Sequence, residues 1–140
     1  MPAAGYSGTA LAAKLGVKAG MTVRAVGAPD DYERLLAPLP DGASVSRRPA
    51  ADAAIVHHFA TRRGELAKAL RAYRAKLDAA TPVWVSWPKK AAGVATDITE
   101  DTIRSVALPL GYVDIKVCAV SDVWSGLKLV VRRELRGKVR

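Results

Sequence analysis

The chain has 140 residues, the length of one domain, and 50% of them are hydrophobic, enough to form a buried core. No apolar run is long enough to cross a membrane and the start lacks a secretory signal, so we expect a cytoplasmic protein without membrane contact. The formal charge of +9 favours an anionic partner. The single cysteine, Cys118, excludes an internal disulfide and a cysteine metal cluster, and its apolar neighbours predict a buried thiol.

The first half of the chain predicts helices that alternate with short strands. The predicted elements are, in order, a helix capped by Ser7 or Thr9 and ended by Gly16, a strand at 22–27, a helix begun by Pro29 and Asp30, and strands at 43–47 and 53–59. Proline suits a first helical turn because no hydrogen bond is lost there. Strands separated by helices in this way favour a parallel sheet.

The second half predicts two longer helices and a closing pair of strands. Apolar residues at helical spacing indicate a helix at 62–77, and Thr99 caps a second one that reaches residue 110. Strands are predicted at 82–87, 112–120 and 127–134. The link between the last two is too short for a parallel crossover, so they should form an antiparallel hairpin. We therefore predict one α/β domain over 1–140, with flexible ends at 1–6 and 136–140 and a mostly parallel, Rossmann-like sheet flanked by helices.

The order and spacing of the elements at 52–135 resemble the second half of the S-adenosylmethionine methyltransferase fold, and 17–27 resembles the approach to its first strand. That family continues with a glycine-rich loop, whereas this chain has Gly27-Ala28-Pro29-Asp30-Asp31. Proline lacks an N–H donor, and the β-carbons keep the backbone from a close approach. Arg47 and Arg48 replace the family's ribose-binding acid. We therefore expect no cofactor, and no adenosylmethionine bound in the family's manner.

A second resemblance covers nearly the whole chain and rests on six segments. They are Gly5–Thr9, Gly27–Pro29, Trp84–Lys90, Thr96–Asp97, Asp114–Val120 and Trp124–Lys128. Together these segments are similar to a bacterial family known as domain of unknown function three thousand and fifty-two. The resemblance implies a bacterial protein, but the family has no assigned activity that could be transferred to particular residues.

Ligands of open α/β sheets bind beyond the carboxyl ends of the strands, which selects candidate residues by position. Segments 27–31, 57–59 and 86–90 should converge there, under a cover formed by 91–97. The candidate ligand-binding residues are Gly27, Asp30, His58, Trp87, Lys89 and Lys90. The lysines suit a phosphate or carboxylate and the indole a stacked ring, although the lysines could equally be solvated charges.

Two adjacent histidines lie in the middle of a predicted strand, so they should point to opposite faces of the sheet. At least one of them should be structural. The other could form an acid–base pair with Asp30 or Asp31 across neighbouring strand ends. No metal-ligand spacing and no nucleotide-binding or nucleophile motif is present.

Three functions remain open from the sequence. The first is a non-catalytic binding or regulatory domain that holds an anionic small molecule or a protein partner near Lys89 and Lys90. The second is a nucleotide-cofactor-dependent, methyltransferase-like enzyme, with Arg47, Arg48 and the two lysines as phosphate ligands and a histidine as acid–base group. The third is nucleic-acid binding through the basic end of the chain, which we do not expect at physiological salt because no reading motif supports it. We favour the first.

Overall fold

The computed structural model describes residues 10–50 and 52–136, and contains a six-stranded sheet between helices. Its elements are α1 (Leu11–Leu15), β1 (Thr22–Val26), α2 (Tyr32–Leu36), β2 (Ser44–Ser46), β3 (Ile55–Phe59), α3 (Arg63–Lys76), β4 (Val83–Pro88), α4 (Glu100–Ala107), β5 (Tyr112–Ala119) and β6 (Trp124–Val131). The predicted helix caps Ser7 and Thr9 lie outside the described residues, as do the predicted flexible ends except for Arg136.

The sheet has the strand order β2-β1-β3-β4-β6-β5. Neighbours among β1 to β4 pair in parallel, whereas β6 runs antiparallel to both β4 and β5. The predicted antiparallel hairpin is therefore confirmed, and so is the mostly parallel, Rossmann-like α/β class. A bulge at Ile115, between Asp114 and Lys116, interrupts the pairing of β5 with β6.

Helices cover the sheet on both faces, which gives the molecule two apolar layers. Apolar side chains of α1 and α2 pack on one face, and those of α3 and α4 pack on the other. Side chains of β3 and β4 alternate between these layers, as expected for strands buried on both sides. Trp84 joins α1 to the sheet, because its indole N–H donates to the Leu15 carbonyl at 3.1 Å.

Local sequence explains where the helices begin and end. Gly16 ends α1 with φ +85°, a left-handed conformation that glycine adopts without strain. Thr99 caps α4 as predicted and forms a reciprocal capping box with Thr102. Arg104 of α4 binds Glu100 and Asp101 in its own helix and Asp114 in β5, so an ion-pair network holds α4 against the edge of the sheet.

Two predictions need correction at the last hairpin. β6 begins at Trp124 instead of residue 127, because β4 extends to Pro88 and pairs with β6 as far as Trp124. Cys118 is half-buried rather than a core residue, because it lies on β5, an outermost strand, opposite Gly126, which has no side chain to cover it. Burial raises the pKa of its thiol.

None of the helices in the described part of the chain is long and apolar enough to cross a membrane. Within residues 10–50 and 52–136, no group of three or more histidine, cysteine, aspartate or glutamate side chains is placed to hold a metal ion.

Candidate functional site

The carboxyl end of β1 lies directly against the end of β3. Gly27, which follows β1, has φ +67°, and a β-carbon built on it would lie 2.9 Å from the Phe59 carbonyl oxygen. A side chain at this position would be strained by its backbone conformation and would also meet the main chain of β3. Gly27 is therefore required for the loop to turn off β1 at this point.

The loop after β1, residues 27–31, is held from outside by Arg47 at the end of β2. The guanidinium donates to the Ala28 and Pro29 carbonyls at 3.2 and 2.8 Å. It also makes a two-bond ion pair with Glu33, at 3.0 and 2.9 Å. The Glu33 carboxylate raises the pKa of Arg47, and the guanidinium lowers the pKa of Glu33. Arg47 is thus bound to the loop and to an acid, which does not favour its predicted role as a phosphate ligand.

Beneath the same loop lies a buried hydrogen-bond chain formed by Tyr32, His57 and Ser86. The Tyr32 hydroxyl lies 2.7 Å from His57 Nδ1, and the Ser86 hydroxyl lies 2.7 Å from His57 Nε2. All three side chains are fully buried. Burial raises the pKa of Tyr32 and lowers the pKa of His57 to about 3, so His57 is neutral and uses one nitrogen as donor and the other as acceptor.

Aromatic rings surround His57 and fill the space below the loop. Phe59 stacks on the imidazole with ring centroids 4.3 Å apart. The Tyr32 ring meets Phe59 edge-on at 5.5 Å, and Trp124 meets Phe59 edge-on at 5.0 Å. These contacts connect the base of the loop with the start of β6.

His58 points to the opposite face of the sheet, as predicted for adjacent strand residues. Its Nδ1 lies 2.7 Å from the Tyr73 hydroxyl, and its Nε2 lies 2.9 Å from the Glu65 carboxylate, both on α3. Burial lowers the pKa of His58, and the Glu65 carboxylate opposes that shift. Both nitrogens therefore have protein partners within the α3 layer.

The predicted acid–base pair between a histidine and Asp30 or Asp31 is not formed. Both aspartates are exposed, whereas the histidines are buried and hydrogen-bond to four other side chains that were not predicted as their partners. Those side chains are Tyr32, Glu65, Tyr73 and Ser86. The spacing of Glu65 and Tyr73, about two helical turns apart on α3, was a signal that could have indicated the pair facing His58.

The segment after β4 lies at the same edge of the sheet. Trp87 is 8% exposed and packs into the apolar layer of α3 and α4, so its ring is not an exposed stacking surface. The Lys89 N–H donates to the Val123 carbonyl at 2.7 Å, which ties the segment to the β5–β6 turn. Lys90 is exposed and begins a short 3-10 turn that ends at Gly93.

The predicted cover at 91–97 is attached to the junction of β3 and α3. The Thr96 hydroxyl and the Asp97 N–H donate to the Thr61 carbonyl at 2.7 and 3.2 Å. The Asp97 carboxylate accepts from the Arg63 N–H, at 2.6 Å, in the first turn of α3. Gly27, Asp30, Lys89 and Lys90 thus follow strand ends at one edge of the sheet, whereas His58 and the Trp87 ring lie in the interior. Ligand binding by these residues stays a prediction.

Comparison of the whole fold with solved structures finds proteins that include methyltransferases. The magnesium protoporphyrin IX methyltransferase ChlM of Synechocystis PCC 6803, bound to SAH, matches 87% of this chain and 78% of its own at 12% identity and a TM-score of 0.54. The fibrillarin pre-rRNA processing protein of Methanococcus jannaschii matches 86% and 73%, at 9% identity and 0.57. The B. subtilis M1A22 tRNA methyltransferase TrmK matches 87% and 64%, at 14% identity and 0.58. No family model and no curated protein matches the sequence.

These similarities correct two predictions made from the sequence. The preference for a non-catalytic binding domain is wrong, because the solved structures that share this fold include three named as methyltransferases or methylases, and the methyltransferase-like alternative is better supported. The expectation of no cofactor is also overturned, because a protein with this fold, ChlM, was crystallised with SAH and with SAM. Membership of the bacterial family of unknown function stays a prediction, because no family model matches. The described chain has a methyltransferase-like Rossmann fold.

Proposed function

We propose that this chain is a methyltransferase-like enzyme domain that binds an adenosylmethionine-type cofactor at the carboxyl edge of its sheet. The observation that carries the proposal is the six-stranded sheet with its antiparallel closing hairpin, in a fold similar to two solved methyltransferases over 87% of the chain. Fold alone does not determine function, so the residues at the edge of the sheet must also suit the cofactor.

Pro29 provides no N–H and its neighbours carry β-carbons, so we assign the ribose of the cofactor to carboxylates of the loop after β1 and not to its backbone. Gly27 allows the main chain to turn directly over the end of β3, where no β-carbon has room. Asp30 and Asp31 present exposed carboxylates in that loop, and a carboxylate accepts hydrogen bonds from hydroxyl groups. We assign the ribose hydroxyls to these aspartates, since Arg47 occupies the position after β2 and already binds Glu33.

The residues after β4 suit the anionic part of a substrate. Lys89 and Lys90 follow the strand at the same edge, and an ammonium group attracts phosphate or carboxylate. When bound, the cofactor supplies an electrophilic methyl group, while the chain's own residues orient the acceptor beside it. An anionic acceptor, a cytoplasmic location and membership of the bacterial family of unknown function belong to this proposal.

Calorimetric titration with adenosylmethionine and adenosylhomocysteine tests the proposal directly. We expect the wild-type protein to bind, and a protein with Asp30→Asn and Asp31→Asn to bind at least about tenfold more weakly, because hydrogen bonds to charged groups contribute about 1.5–3 kcal/mol. The matched control carries Asp41→Asn and Asp52→Asn, two exposed aspartates that precede β2 and β3 at the opposite edge. It makes the same change in charge and should bind like the wild type.

Binding should also stabilise the fold, since a ligand at 100 times its dissociation constant adds about 2.7 kcal/mol to the free energy of unfolding. No heat of binding and no thermal stabilisation at millimolar cofactor would refute the proposal. Equal weakening in the two double variants would remove Asp30 and Asp31 from the site.

A further inference from the structure

We propose that His57 is a positioning residue for the cofactor loop, residues 27–31, and acts through the buried chain Tyr32–His57–Ser86. The inference rests on the proposed function, because it assigns the hydrogen-bond chain to the loop on which the cofactor would lie. In this role His57 touches no ligand, and it fixes the distance between the loop and the end of β4.

The hydrogen-bond chain joins three elements that meet below the loop. Tyr32 is the first residue of α2 and follows Asp31 directly, so its hydroxyl anchors the end of the loop. His57 lies in β3, and Ser86 lies in β4 two residues before its last residue, Pro88. The loop is therefore held from below by His57, as it is held from outside by Arg47.

A neutral imidazole suits this bridging position because its two nitrogens combine one donor with one acceptor. An apolar side chain would leave the hydroxyls of Tyr32 and Ser86 unsatisfied in the core, and each such group costs about 1–3 kcal/mol. Fully satisfied polar networks in a core make the packing rigid and specific. The hydrogen-bond chain packs against Gly126 beside Ser86. A β-carbon added to Gly126 would lie 3.5 Å from the serine hydroxyl and 3.0 Å from Val120.

The neighbouring histidine provides an internal comparison. His58 makes the same bond, Nδ1 to a tyrosine hydroxyl at 2.7 Å, but to Tyr73 in the second half of α3. Both tyrosines are buried, and both bonds start from adjacent residues of β3. They differ in that Tyr32 adjoins the cofactor loop and Tyr73 does not, so removing each hydroxyl separates a general effect on stability from an effect on the loop.

The test compares Tyr32→Phe with Tyr73→Phe by hydrogen exchange, denaturant unfolding and cofactor titration. We expect both variants to lose a similar part of their stability to unfolding. Only Tyr32→Phe should exchange about tenfold faster the amide hydrogens of residues 32 and 35, which donate to the Pro29 and Asp31 carbonyls of the loop. Only this variant should bind adenosylmethionine about tenfold more weakly. Ser86→Ala, at the other end of the hydrogen-bond chain, should speed exchange of the same amide hydrogens and serves as the second variant.

The outcomes distinguish this inference from the proposed function. Unchanged exchange and unchanged affinity in Tyr32→Phe and Ser86→Ala would overturn the role of His57, although the wild-type protein still binds the cofactor. Equal changes in Tyr32→Phe and Tyr73→Phe would also overturn it, because they would show a general loss of rigidity. Absence of binding by the wild-type protein would overturn the proposed function, and faster exchange in Tyr32→Phe would then assign His57 to the loop alone.

Discussion

His57 and His58 are adjacent and of the same type, yet their surroundings give them different roles. His57 is enclosed by aromatic rings and neutral hydroxyls, whereas His58 also contacts the partly exposed carboxylate of Glu65. Burial lowers the pKa of both imidazoles, and in His58 an acid opposes the shift. A histidine that stays neutral well below pH 6 can bridge two hydroxyls at physiological pH without changing its charge.

The low pKa of His57 makes the stability of the protein depend on pH. In the unfolded chain a histidine has a pKa of about 6.5, and in the fold burial lowers the pKa of His57 to about 3, so the unfolded state binds more protons between these values. The free energy of unfolding should therefore fall as the pH falls through this window. Urea unfolding at pH 7 and pH 5 should show a loss that is smaller in His57→Gln, by on the order of 1–2 kcal/mol. Equal losses in both proteins would contradict a buried, neutral His57.

Two glycines should respond to alanine in opposite directions. Gly27→Ala should cost about 1–3 kcal/mol in stability, because it places a side chain at φ +67° and a β-carbon 2.9 Å from the Phe59 carbonyl. Gly64→Ala should add up to about 1 kcal/mol, since Gly64 lies inside α3 with no atom within 4 Å of the new β-carbon and alanine favours helices. Chemical denaturation of both variants would decide, and a stable Gly27→Ala protein would show that the loop can move off β3.

At the scale of elements, the local sequence pattern predicted which segments form helices and strands, but not how deeply each strand is buried. The spacing of Leu66, Leu70 and Tyr73 predicted α3, and its bounds agree within one residue. Cys118 in β5 was predicted to be buried because its neighbours Val117, Ala119 and Val120 are apolar. β5 is one of the two outermost strands of the sheet, however, and periodicity carries no information about strand order. The position of the strand therefore explains why Cys118 is only half-buried.

Because β5 is an outermost strand, replacing valine by threonine should affect the stability of the protein less in β5 than in β6. Val117 of β5 is 53% exposed, whereas Val131 of β6 is 2% exposed. Val117→Thr should change the free energy of unfolding by less than about 0.5 kcal/mol. Val131→Thr should cost about 1–3 kcal/mol, because it buries a hydroxyl among apolar side chains. Similar losses in thermal or urea unfolding would mean that a partner covers the exposed side of β5.

At the scale of the whole molecule, the sequence predicted the class of the fold and the edge of the sheet at which four of the candidate residues lie. Strand ends follow from alternation of elements, so Gly27, Asp30, Lys89 and Lys90 were predicted to lie at that edge. The contacts of the histidines could not be predicted, because Tyr32, Ser86 and Glu65 come from three different elements. The function was wrongly predicted because absent motifs were counted against catalysis, whereas the fold as a whole is similar to that of a solved methyltransferase.

The two histidines of β3 also imply an order in which the layers of the molecule fold. His58 bonds to residues 7 and 15 positions away, whereas His57 bonds to residues 25 and 29 positions away. Closing a shorter loop costs less chain entropy. The contacts of His58 with α3 should therefore form before the contacts of His57 with α2 and β4 on the other face of the sheet. In stopped-flow refolding, Tyr73→Phe should slow folding, whereas Tyr32→Phe should mainly speed unfolding. The loop proposed to bind the cofactor would then be the last part of the sheet edge to become ordered and the first to open.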